Sequence, residues 1–189
     1  MSEWPSLRRS DKAMPAERLQ ELLTHGFCGR LATCGEDGWP YVLPLLYVYR
    51  PGEIWMHNTS APGHLRSNLA HDARACFEVD EPGPVFPYGR FECDTSVAYR
   101  SAIAFGRVSI VQERAAKQAF FEWFMAKYAD QDWPKRSPGF FPRLDAVTVY
   151  SLAIERVSGK SAALPAVESR WPALDRSKSP QARAPEDPE

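Results

Sequence analysis

No stretch of the 189-residue chain approaches the roughly 18 consecutive apolar residues of a membrane-spanning helix, so a membrane protein is not expected. The opening residues, MSEWPSLRRSDK, lack the basic-then-apolar order of a secretory leader. An excess of charge is missing too. There are 23 basic and 24 acidic residues for a net charge of −1, which gives no electrostatic reason to expect nucleic acid as a partner. Cysteine is scarce: Cys28, Cys34, Cys76 and Cys93 include no Cys-x-x-Cys pair. Reduced, partly buried thiols in a cytoplasmic protein are the expectation, with Cys34 as a small buried hydrophobe. Walker loop, nucleophile elbow and His-Glu-x-x-His pattern are all absent.

What remains is an apolar content of 44%, enough for one core. Residues 1–12 are a polar extension. From Pro165 the chain has five prolines in 25 residues, a composition that packs no element of its own, with Trp171 as its one candidate anchor. The packed body is therefore expected over residues 13–163, flanked by the extension 1–12 and a Pro-rich tail, 164–189.

Within that body, MPAERLQELLTHG reads as a short helix with Leu19, Leu22 and Leu23 on one face and Gly26 at its end. FCGRLATC, the Asp37-Gly38 turn and YVLPLLYVY read as strand, tight turn and strand. EIWMH, ARACFEVD (73–80) and SAIAFGRVSIV (101–111) are further strands, with a Pro/Gly-rich loop at 82–89 between the last two. Gly106 marks a bulge or a close backbone approach. Residues 113–129 form the clearest helix, with Ala116, Phe120 and Phe124 recurring every four positions. A last strand runs from Ala146 to Val157. Six or so mostly antiparallel strands with few helices make a mainly β fold, and a small barrel solves its edge problem.

The stretch IWMHNTSAPGHLRSNL (54–69) gathers polar side chains where a plain turn needs one or two. Backbone amides where a loop enters a short helical turn can hold an anion. Thr59 and Ser60 add hydroxyls, while His64 and Arg66 add donors suited to phosphate. A turn whose own hydroxyls cap it would leave the same pattern. His57, His64 and His71 fall seven apart, but Pro62-Gly63 breaks any common helix and only Asp72 is at hand to complete a ligand set, so no metal is expected.

Four stretches carry a resemblance: GRLATCGEDGWPYVLPLLYVY (29–49), IWMHNTSAPGHLRSNLAHDARACFEVD (54–80), YGRFECDTSVAYRSAIAFGRVSIV (88–111) and FFPRLDAVTVYSLAIERVSGK (140–160). In order and spacing, the chain resembles the pyridoxamine 5'-phosphate oxidase-like FMN-binding split-barrel superfamily, in its nitroimidazole-resistance (Nim-like) branch. The resemblance implies an FMN-binding split β-barrel. The flavin phosphate and ribityl chain would lie among His57, Asn58, Thr59, Ser60, His64 and Arg66. Relatives often carry a lysine shortly after the glycine. Here the order is Gly63-His64-Leu65-Arg66, which leaves His64 and Arg66 as alternatives for the positive partner.

The same resemblance implies that the strand holding Val42, Pro44 and Leu45 lines the flavin ring, that the protein is a homodimer with flavin sites at the interface, and that Tyr99 and Ser101 reach the partner's flavin. The implied function is an FMN-dependent oxidoreductase that moves hydride or electrons between a small-molecule donor and a small organic acceptor, a nitroaromatic among the candidates. No residue stands out as a general acid or base, so no catalytic residue is assigned. A flavin carrier or sensor without turnover and a haem-handling split barrel are the alternatives. The basic C-terminal substrate-binding stretch of the true oxidases is not found, and substrate identity is open.

Overall fold

The computed structural model describes residues 7–87, 95–129 and 143–166. Helix α1 (Ala16–His25) follows Pro15, buries Leu22 and Leu23, and ends as the Gly26 amide donates to the Leu22 carbonyl at 2.8 Å. A side chain at position 26 would not fit: its Cβ would lie 2.6 Å from Val79 Cγ2. Strands β1 (Gly29–Cys34) and β2 (Pro40–Leu45) form a hairpin whose turn places Gly38 at φ +80. That left-handed conformation is one which glycine adopts without a Cβ penalty. Next come β3 (Tyr47–Arg50), β4 (Glu53–Thr59), α2 (His64–His71), β5 (Arg74–Pro87), β6 (Thr95–Ile110), α3 (Arg114–Tyr128) and β7 (Val147–Ala162).

Seven strands make one sheet in the order β2-β1-β5-β6-β7-β4-β3. The β1–β2, β1–β5, β3–β4 and β4–β7 pairs are antiparallel. Three expectations need correction. The apolar run YVLPLLYVY is two strands broken at Leu46, because β2 pairs with β1 while β3 pairs with β4. The loop expected at 82–89 is strand as far as Pro87, and the next strand begins at Thr95 instead of residue 101. The β1 pairing ends at Glu78, so Pro82 and Pro84 interrupt no ladder with that neighbour, the circumstance in which a strand tolerates proline. Finally, Cys34 is exposed rather than buried, at the end of β1; Cys28 and Cys76 are half-buried free thiols, and Cys93 lies outside the described residues.

The chain divides into two units. The larger comprises Pro15–Val79 and Ala102–Ser158. In it the first and last strands of the sheet order, β2 and β3, are separated in sequence by Leu46 alone. Two residues of extended chain span only about 7 Å, so the sheet must curl until its ends nearly meet. No ladder joins those ends; the Tyr128 hydroxyl from α3 ties β3 to the segment before β1, accepting from the Tyr47 amide at 3.0 Å and facing the carbonyls of Tyr47 and Phe27, each at 2.8 Å. Burial pushes this phenol up to about 12, so it stays protonated and able to donate.

Inside the curl Leu22, Leu31, Tyr47, Ile54, Met56, Phe77 and Leu152 are fully enclosed. Each contributes on the order of 1.5–3 kcal/mol through removal of apolar surface from water. Gly106 answers to its second expected role: a Cβ there would lie 2.0 Å from the Ala153 carbonyl oxygen, a close backbone approach. On the other side of β4, α3 lays Phe120 against Val48 and Val149, rimmed by Trp55, Phe121, Trp123 and Phe124.

The smaller unit comprises the described parts of 1–14, 80–101 and 159–189. Here the Met14 amide donates to the Gly159 carbonyl at 2.9 Å, and Arg100 clasps the Glu81 carboxylate through two guanidinium nitrogens. No helix among the described residues is long and apolar enough to cross a membrane.

Candidate functional site

The polar stretch after Met56 is the end of β4, a short turn and the start of α2. Strand alternation sorts its first members. Asn58 follows buried Ile54 and Met56 on one face, where the Tyr150 hydroxyl donates to its Oδ1 at 3.1 Å. His57 faces the other way, toward α3. Its ring centroid lies 5.6, 5.1 and 5.0 Å from those of Phe120, Phe121 and Phe124. Its Nδ1 is buried without a hydrogen-bond partner, and burial lowers its pKa. The structure thus brings Asn58, Thr59, Ser60, His64 and Arg66 to one turn and directs the His57 ring into an aromatic wall.

Beyond Thr59 the Ser60 amide donates to the Ala146 carbonyl at 3.2 Å, and the exposed Ala61-Pro62-Gly63 segment leads into α2. Gly63 precedes the helix in extended conformation, and no atom lies within 4 Å of where its Cβ would be. The first intrahelical bond is Ser67 N–H to the Gly63 carbonyl at 3.0 Å. The amides of His64, Leu65 and Arg66 consequently have no helical acceptor, and no side chain among the described residues caps them. Arg66 turns back and donates from Nη1 to the Ser60 carbonyl at 2.9 Å, bracing the turn. A phosphate would meet uncapped amides, the exposed hydroxyls of Thr59 and Ser60, an open glycine and the remaining donors of Arg66 and His64. The residues present fit such a group.

Helix α2 is fastened to the β1–β2 hairpin at two points. Asn68, buried, donates from Nδ2 to the Thr33 hydroxyl at 3.1 Å. The imidazole of His64 stacks on the Tyr41 ring, centroids 5.3 Å apart and planes at 25°. Thr33 and Tyr41 are cross-strand partners, while His64 and Asn68 are four apart on one helix face. Tyr41, Thr33 and Asn68 were not among the residues expected from sequence. Their signal was there, in the spacing of His64 to Asn68 and in the pairing that the Asp37-Gly38 turn imposes on residues 33 and 41.

The remaining candidates lie elsewhere. Strand β2 is an edge strand, as a mid-strand Pro44 requires. Val42 and Pro44 are exposed on one of its faces; Leu45 is half-buried on the other, shared with Tyr41 and Leu43. Tyr99 and Ser101 belong to β6 in the smaller unit, where the Lys12 ammonium lies 5.7 Å from the Tyr99 ring centroid. Trp171 is outside the described residues. Among the described residues no three His, Cys, Asp or Glu side chains gather as a metal site.

A sheet curled on itself but left open between its first and last strands is the architecture of a split barrel. The family model described as pyridoxamine 5'-phosphate oxidase matches residues 15–161, and the chain belongs to this flavin-binding family. Solved structures are similar across most of their length. Flavocytochrome Anf3 from Azotobacter vinelandii is 21% identical with a TM-score of 0.71, covering 97% of this chain and 91% of its own. A protein assigned to 5-nitroimidazole antibiotic resistance from Bacteroides thetaiotaomicron is 19% identical with a TM-score of 0.64, covering 78% and 85%. The FAD- and haem-binding protein of Mycobacterium smegmatis is 25% identical with a TM-score of 0.63, covering 84% and 78%. No curated protein sequence matches the chain.

Proposed function

We propose that this protein is an FMN-dependent oxidoreductase that transfers hydride or electrons between a small-molecule donor and a small organic acceptor, nitroaromatics being one class to test. The observation that carries the reading is the uncapped start of α2 beside Ser60 and Arg66, in a chain of a flavin-binding family. Flavin supplies the redox chemistry when bound. This chain's residues bind and orient: the α2 amides, Thr59, Ser60, His64 and Arg66 take the phosphate, and Asn58, its amide fixed by Tyr150, faces the ribityl chain. The backbone of β2 from Val42 to Leu45 takes the ring. His57 turns its ring the other way, into the aromatic wall of α3.

A homodimer with flavin sites at the interface is part of the same proposal. It is favoured by the exposed edge strand β2 and by Trp39 and Val42, 75% and 58% exposed beside it. Tyr99 and Ser101 are assigned to the partner's flavin. The cytoplasm is the proposed compartment.

An absorption spectrum of the purified protein, repeated after dialysis against FMN, FAD or haemin, tests the reading. Two flavin bands restored by FMN at one equivalent per chain support it. Bands restored only by FAD reassign the cofactor, and a Soret band replaces flavin with haem. Flavin that binds but is not reduced by NADH or NADPH makes the protein a carrier or sensor.

A further inference from the structure

We infer that Tyr41 is a positioning residue for the phosphate end of the cofactor site, acting through the imidazole of His64; the inference rests on the flavin reading above. His64 is the first residue of α2, beside the uncapped amides. An exposed histidine at a helix start would ordinarily sample several rotamers, and aiming one of its ring N–H groups at a ligand would then cost conformational entropy. Here the nearly parallel stack on Tyr41 holds the ring plane. The neighbouring bond from Asn68 to Thr33 holds the helix that carries it. Because Thr33 and Tyr41 are directly paired across the hairpin, the two attachments form one rigid seat.

This geometry also separates the roles of two residues that the sequence leaves as alternatives. Arg66 lies two positions on, about 200° around the helix, and spends one nitrogen on the Ser60 carbonyl. It braces the turn and offers a phosphate only its remaining donors, while His64 is the donor held in place for the ligand. The stack leaves the edge of the imidazole, where both ring nitrogens lie, clear of Tyr41.

The test compares FMN with riboflavin, which lacks the phosphate, by quenching of flavin fluorescence in the wild type, Tyr41→Phe, Tyr41→Ala, His64→Ala and the double variant Tyr41→Ala/His64→Ala. An aromatic contact of this kind corresponds to roughly a three- to tenfold change in affinity. Tyr41→Ala should weaken FMN by that factor and leave riboflavin unchanged. Tyr41→Phe, which keeps the ring, should match the wild type. In the His64→Ala background, loss of Tyr41 should have no further effect. If both flavins weaken equally, or if the Tyr41→Ala loss persists without His64, the inference is overturned and Tyr41 merely supports the fold. A wild type that binds neither flavin overturns the cofactor reading itself, an outcome distinct from FMN binding that is indifferent to Tyr41.

Discussion

His57 should make the docking of α3 sensitive to mild acid. Its imidazole is enclosed by Phe120, Phe121 and Phe124, its Nδ1 has no partner, and burial lowers its pKa from 6.5. The folded protein therefore holds it neutral while the unfolded chain protonates it normally, so unfolding takes up a proton and stability falls as pH drops through 6.5. For a histidine kept neutral in the folded state, moving from pH 7.5 to 5.5 changes the unfolded-state term by a factor of about ten, which sets a ceiling of about 1.4 kcal/mol. The Asp72–Arg74 ion pair does not blur this window. Asp72 is held at about 2 by its bonds from Arg74, so it stays ionised throughout. Urea denaturation of the wild type and His57→Leu at both pH values, followed by tryptophan fluorescence, reads the effect. The wild type should lose up to about 1.4 kcal/mol more than the variant, or about half a molar urea in midpoint. The absolute stability of the variant is immaterial; only its pH dependence counts. If both proteins lose stability in parallel, His57 is not held neutral by burial, and the enclosure described here is not what tunes it.

Two other substitutions address the site and the fold. Arg66→Ala should weaken FMN binding by about 1–3 kcal/mol through loss of the Ser60 brace and of phosphate donors, and titration showing unchanged affinity would remove Arg66 from the site. Gly29→Ala would place a Cβ 1.9 Å from Phe77 Cζ in the core; overpacking of this kind costs typically about 1–3 kcal/mol or more. A thermal midpoint equal to the wild type would show that Phe77 can swing aside.

Much of the fold is legible in the sequence, and the reasons differ by element. Helices α1 and α3 announce themselves because leucines and phenylalanines recur at helical spacing beside a polar face. The hairpin β1–β2 follows from Asp37-Gly38, which only a tight turn would use. The break at Leu46 was not legible, because residues 41–49 are uniformly apolar and a change of pairing partner leaves no mark on composition. The extension of β5 through Pro82, Gly83 and Pro84 was hidden for the opposite reason. Those residues usually end strands, and what permits them here is a ladder neighbour that has already stopped, a non-local fact. At the site the polar cluster itself was plain. The direction of His57 was readable from strand alternation, since Ile54 and Met56 share a face that residue 57 cannot. The stack of Tyr41 on His64 joins two segments whose approach depends on the fold.

The hydroxyl of Tyr128 has a mechanical meaning. A barrel closed by a strand ladder has a girth fixed by its number of strands and their stagger, and it changes only in whole steps. This sheet has no ladder between β2 and β3, and one side chain reaching in from α3 ties β3 to the segment that precedes β1. The same helix walls in His57, on the strand that leads into the proposed phosphate site. Removing the Tyr128 hydroxyl would therefore release three contacts at once, a seam resting on a single atom where a fully laddered cylinder has a row of bonds.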